Sequence, residues 1–212
     1  MTDVVPPAPP VPTAHDRTFI PYPLGLDPKF DKCLPDTELQ EGVTWSSGPM
    51  PSSAFSNDAH DPGGKTGEGI LQREYDLKRR QWGLPTRDIR LMSKDEERTI
   101  YYTDYWIAGH CPDMPPGLDL ECFDDVVNEG THQGIKLLQI ALRVAADGQF
   151  GPQTKAAIDA AVAARQVREL IDRYRIAREA FYHGLSNYRY FGRGWIRRAE
   201  TIAKQSEAMA SA

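Results

Sequence analysis

The chain has 212 residues, a formal net charge of −5, 40% hydrophobic and 26% charged side chains, enough for one good-sized core or one main domain plus a small appended one. It contains no apolar run of roughly 18 residues, which excludes a membrane-spanning helix by hydropathy and leaves a soluble, monomeric globular protein as the expectation. Cys33, Cys111 and Cys122 are odd in number and form no CxxC pair, so reduced thiols are expected and neither a disulfide scaffold nor a zinc site.

The opening MTDVVPPAPPVPTAHDR lacks the basic stretch and apolar core of a secretory signal. The expectation is a protein made in the cytoplasm whose exit is assisted. Residues 1–28 carry VPPAPPVP and PYPLGLDP, a proline density that suits an extended arm. From Phe30 to Glu41, the spacing of Phe30, Cys33, Leu34 and Leu39 predicts a helix, with Pro35 in its first turn or kinking it. Residues 43–70 are rich in Gly, Ser, Pro and Asn and read as a loop-rich hairpin.

Most of the remainder reads as helix. Leu71, Tyr75 and Trp82 lie near helical spacing before Gly83 and Pro85. Ser93-Lys94-Asp95-Glu96 has the form of a capping box, predicting a helix from there to about Ile107. After the CPDMPPG break, Leu120, Phe123 and Val127 recur at i, i+3 and i+7, as do Ile135, Leu138 and Leu142. Leu137, Ile140 and Val144 are apolar as well, so the second of these helices is expected to be buried on most sides and to form the core helix. DGQFGPQT at 147–154 predicts a turn before an Ala-rich helix from about Thr154 to Gln166, followed by helices over 167–183 and about 192–209. Residues 165–198 hold nine arginines against Glu169, Asp172 and Glu179, a local +6. This basic end either faces an anionic polymer or forms a solvated helix face with i,i+4 pairs.

The chemistry concentrates in Glu41-Gly42 and the later NDAHDPGGKTGEGI at 57–70. A carboxyl group at a helix end, partly buried by a glycine-rich hairpin, can keep its proton and act as a general acid. Asp61 and Thr66 on that hairpin would supply a second carboxylate and a hydroxyl, as glycoside hydrolysis requires. Tyr101, Tyr102, Tyr105 and Trp106 cannot all share one helix face. Some fill the core, while others line a groove where aromatic rings stack on sugars. Asn128 and Glu129 either cap a helix before Gly130 or reach a cleft. His110, His132 and His183 show no metal-ligand spacing, and no nucleic-acid motif is present.

Glu41-Gly42, Asp58, DPGGKTGEGI (61–70), the aromatic run at 101–106, FDDVVNEG (123–130) and IKLLQ (135–139) together resemble glycoside hydrolase family 108, the lysozyme-like N-acetylmuramidases of phage endolysins and bacterial autolysins. DGQFGPQT and GRGWIRR (192–198) look like the peptidoglycan-binding segment that follows the family's catalytic part. The resemblance implies an α+β lysozyme-like fold, mainly α, with one small β-hairpin. It divides the chain into an arm (1–28), a catalytic domain (29–144) and a helical peptidoglycan-binding segment (145–212).

It also implies Glu41 as the catalytic acid with Asp61 and Thr66 as partners, Tyr102, Tyr105, Trp106 and Asn128 as substrate-binding residues, and no cofactor or metal. The expected substrate is the peptidoglycan glycan strand, cut between N-acetylmuramic acid and N-acetylglucosamine at the cell wall, with phage-assisted release as one route there. Retention or inversion would depend on whether the carboxyl groups stand about 5 or about 6.5–9.5 Å apart. The chain departs from the family pattern at Val43, at Gly67, and through an insertion, WSSGPMPSSAF, between Glu41 and Asp61. Two rivals remain: an inactive wall-binding or phage structural protein, and a lytic transglycosylase.

Overall fold

The computed structural model describes residues 26–41, 55–56, 66–67 and 69–211; the proline-rich stretch lies almost entirely outside them. The protein is mainly helical. Its first helix, α1 (Pro28–Gln40), starts where Asp27 accepts hydrogen bonds from the Lys29 and Phe30 amides at 3.0 and 3.2 Å. Pro28 takes a first-turn position, where its missing N–H leaves no bond unmade. The other Asp27 oxygen accepts from Trp106 Nε1 at 2.8 Å, pinning the start of α1 to the core. Phe30, Cys33, Leu34 and Thr37 form its buried stripe. Leu39, expected on that stripe, is 61% exposed, because Thr37 takes the i+7 position. Pro35 lies inside the helix, past its first turn.

The expected hairpin is a ladder of two-residue strands, β1 (Phe55–Ser56), β2 (Thr66–Gly67) and β3 (Ile70–Leu71), paired antiparallel in that order. Thr66 stands opposite Ser56 on one side and Leu71 on the other. Helix α2 (Gln72–Gln81) follows directly, and α3 (Lys94–Ile100) opens with the capping box predicted from Ser93 and Glu96. Glu96 does more than cap: it accepts from the Tyr75 hydroxyl at 3.0 Å and pairs with Arg79 and Arg87, tying α3 to α2. Beyond Ile100 the chain winds on as a π-helical stretch, Tyr101–Ile107, where a plain α-helix was expected. That wider winding re-aims the four aromatic side chains it carries.

Helices α4 (Leu118–Glu129), α5 (Thr131–Leu142), α6 (Pro152–Ala163), α7 (Val167–His183) and α8 (Tyr188–Met209) complete the fold. The predicted core helix is corrected here. On α5, Ile140 is 47% exposed, whereas every residue of α4 from 118 to 126 is buried. Helix α4 is packed by α1, the π-helical stretch, α5, α7 and α8. Its start lies so close to α8 that a Cβ on Gly117, at φ +87°, would sit 2.2 Å from the Ser206 carbonyl oxygen. The turn at 147–151 is held by Gln139, whose Nε2 donates to Asp147 and the Gln149 carbonyl while its Oε1 accepts from the Gly148 amide. No helix among the described residues is long and apolar enough to cross a membrane.

Candidate active site

Glu41 caps the C-terminus of α1, its amide donating to the Thr37 carbonyl at 3.2 Å. Its side chain is 21% exposed. One carboxylate oxygen, Oε1, accepts from Arg198 Nη1 of α8 at 2.6 Å. The other, Oε2, faces the turn between β2 and β3. There Gly69, at φ +75°, brings the backbone so near that a Cβ would lie 3.4 Å from Oε2 and 3.7 Å from the Tyr101 hydroxyl. A side chain at this φ would be strained, so the conformation of the turn favours glycine, whereas a Cβ itself would make only ordinary contact with the carboxyl group. The carboxyl group is therefore partly buried, as one half of an ion pair.

Arg198 is itself anchored. Its Nη2 and Nε bond Asp124 of α4 at 2.9 and 3.2 Å. Burial works against its charge, but Asp124 and then Glu41 outweigh that and push its pKa above the usual arginine range. Asp124 is shared with Arg178 of α7, 2.8 Å away, and Arg178 also holds Glu121 at 3.0 Å and stands 3.0 Å from Asp125. Arg178, Glu121, Asp124 and Asp125 are all fully buried. Asp125 accepts from the Tyr174 hydroxyl at 3.0 Å as well. Burial lifts the Glu121 carboxyl to about 7 despite Arg178, and lifts Glu129 to about 6, with Asp125 adding to the effect. The result is a chain of alternating charges, Glu41–Arg198–Asp124–Arg178–Glu121, that runs from the candidate acid into the molecule's centre.

The other candidates fall in different places. Asp61 and most of the predicted insertion lie outside the described residues, and Thr66 is placed on β2, two strand positions from the turn that meets Glu41. Tyr105 is half-buried with its ring 5.6 Å from that of Tyr101. Its hydroxyl is raised to about 12 by burial, then by Glu74, Asp104 and Glu41. Tyr102 is half-buried edge-on against Phe30. Trp106 packs wholly in the core between Phe30 and Phe123, away from any surface a polymer could reach. Asn128 is half-buried and donates to the Tyr182 hydroxyl at 3.1 Å and to Glu129 at 2.8 Å. Among the described residues no three His, Cys, Asp or Glu side chains are grouped to hold a metal.

Arg198, Asp124, Arg178 and Gly69 were not singled out from the sequence. One signal was present: Glu121, Asp124 and Asp125 fall at helical spacing among Leu120, Phe123 and Val126. Acids in so apolar a run need cations from elsewhere, and the arginine excess at 165–198 supplies them.

The family model described as Glycosyl hydrolase 108 matches residues 52–130, and that described as Predicted Peptidoglycan domain matches residues 133–200. Asp61, Thr66 and the α4 acids fall within the first match, Arg178 and Arg198 within the second, and Glu41 ahead of both. A solved structure, "Structure of Brucella abortus SagA", is 25% identical with a TM-score of 0.68, covering 86% of this chain and 96% of that one. No curated protein matches the chain. The chain thus carries a glycosyl hydrolase 108 domain followed by a predicted peptidoglycan-binding domain.

Proposed function

We propose that this protein is an N-acetylmuramidase that hydrolyses the β-1,4 bond between N-acetylmuramic acid and N-acetylglucosamine in peptidoglycan, with Glu41 as proton donor. The glycosyl hydrolase 108 match supports glycoside hydrolysis and the second match supports peptidoglycan as the polymer. The observation that carries the assignment of the acid is the setting of the Glu41 carboxyl group between the Gly69 turn, the Tyr101 hydroxyl and Arg198. Arg198 orients the group through Oε1, a pairing that by itself favours the charged form, and Oε2, against the turn, is the oxygen left to carry a proton to the glycosidic oxygen. Holding the donor in one orientation is where much of the rate gain of such a site arises. In this proposal Asp61 and Thr66 handle the attacking water or the developing positive charge on the sugar.

In this proposal Tyr105 and Asn128 contact the glycan, and the protein works at the cell wall once it has left the cytoplasm. Turbidity of purified peptidoglycan tests the proposal. Wild type should clear the suspension, while Glu41→Gln, nearly the same shape with no proton to give, should leave it turbid. Equal clearing by both would overturn the assignment.

A further inference from the structure

Helix α8 changes character along its length. Phe191, Trp195, Arg198, Ile202 and Ser206 recur at i, i+4, i+7, i+11 and i+15, one stripe of the helix. At the C-terminal end this stripe is core, with Ile202 and Ser206 fully buried. At Arg198 it reaches Glu41. Beyond that point it runs out past the packed helices: Trp195 is half-buried and Phe191 is 57% exposed. The rings of Phe191 and Trp195 lie 5.9 Å apart at 37°, and Trp195 leans on Tyr182 at 5.7 Å. Tyr182 in turn accepts from Asn128. An apolar helix face that leaves the core beside a partly buried acid, and is there made of aromatic rings, is an unusual exposure for a helix end.

We infer that Phe191 and Trp195 form a glycan-stacking ledge, a saccharide subsite that leads a peptidoglycan strand along α8 to Glu41. The inference rests on the proposed hydrolase reading for the identity of the polymer. Two features favour a peptidoglycan strand over another occupant. The ledge is continuous, through Arg198 one turn further on, with the candidate acid. It is also made of aromatic rings, whose faces take the apolar faces of the sugar rings; the exposed Arg189, Arg193 and Arg197 project from other sides of α8.

The test uses the full chain with Phe191→Ala, Trp195→Ala and the ring-retaining Phe191→Tyr and Trp195→Phe. Melting curves establish that each variant folds; the exposure of Phe191 makes its replacement the safest. Rates of reducing-end release are measured against the concentration of soluble peptidoglycan fragments. Sacculus binding is measured in the Glu41→Gln background. Loss of one stacked ring should raise KM and weaken sacculus binding by about three- to tenfold, with a smaller change in kcat, and the ring-retaining variants should restore both.

Unchanged KM and binding in folded Phe191→Ala and Trp195→Ala would overturn the ledge while leaving hydrolysis at Glu41 standing. Phe191-dependent binding by a wild type that releases no reducing ends would sink the hydrolase reading and keep the ledge. A Phe191-dependent dimer in light scattering, with sacculus binding unaffected, would assign the surface to a second copy of the chain and overturn the inference.

Discussion

Replacing Arg178 by Met leaves three buried carboxylates, Glu121, Asp124 and Asp125, without the guanidinium that lies 2.8–3.0 Å from each. Methionine roughly fills the volume and supplies no charge. Removing one partner of a buried ion pair typically destabilises by about 3–5 kcal/mol, because the orphaned charge stays buried. Arg198 still neutralises Asp124 in the variant, so a loss of about 3–5 kcal/mol at pH 7.5 is the expectation and not a multiple of it. For a chain of this size that corresponds to a fall in Tm of roughly 6–20 °C.

The loss should depend on pH with a definite sign. Burial already raises the Glu121 and Asp125 carboxyl groups, and loss of the Arg178 charge raises them further, so protonation relieves the penalty. The gap between variant and wild type should therefore be widest near pH 8 and narrow towards pH 5. Because α4 still packs on α5, α7 and α8 without these ion pairs, the variant should still unfold in one transition. Thermal and denaturant melts followed by circular dichroism across this pH range make the measurement. A loss under about 1 kcal/mol, or one that does not vary with pH, would refute the view that this buried cluster binds the two matched segments together.

Wild-type stability should itself fall as pH rises from about 4.5 to about 7. The raised Glu121 carboxyl holds a proton in the folded state that the unfolded chain has released. Its contribution is fully present below 4.5 and lost through about 7, on the order of 3 kcal/mol. Glu121→Gln should flatten that part of the Tm-against-pH curve, and an unchanged slope would count against the assignment. Arg198→Ala should lower kcat by up to about 100-fold through misplacement of Glu41, with Arg198→Lys recovering part of the loss. Equal kcat values in steady-state assays would contradict the positioning role. Gly69→Ala should cost about 1–2 kcal/mol through its positive φ, read by melting; because the methyl group would make only ordinary contact with Glu41 Oε2, an unchanged melting curve would contradict the strained turn.

What the sequence showed was local chemistry. The Ser93–Glu96 capping box, the span of α7 and the turn ahead of α6 all follow from residues that interact with near neighbours, and each is seen in the structure. The site required more distant partners. Glu41 meets Arg198 across 157 positions, and Glu121 meets Arg178 across 57; no periodicity reports such pairings. The same limit misplaced the core helix. Apolar content favoured α5, while the acids on α4 disguised a helix enclosed on all sides because their compensating arginines lie on α7 and α8. The π-helical winding at Tyr101–Ile107 was also invisible, since its aromatic residues fit an α-helix equally well.

The most direct test of Glu41 as the acid of a muramidase is the identity of the new chain ends. Purified peptidoglycan is digested with wild type or Glu41→Gln, reduced with borohydride and analysed by mass spectrometry. The account predicts reduced N-acetylmuramic acid ends from wild type and essentially none from Glu41→Gln at matched folded protein. Anhydro-muramic ends, reduced N-acetylglucosamine ends, or the same products at the same rate from both proteins would contradict it.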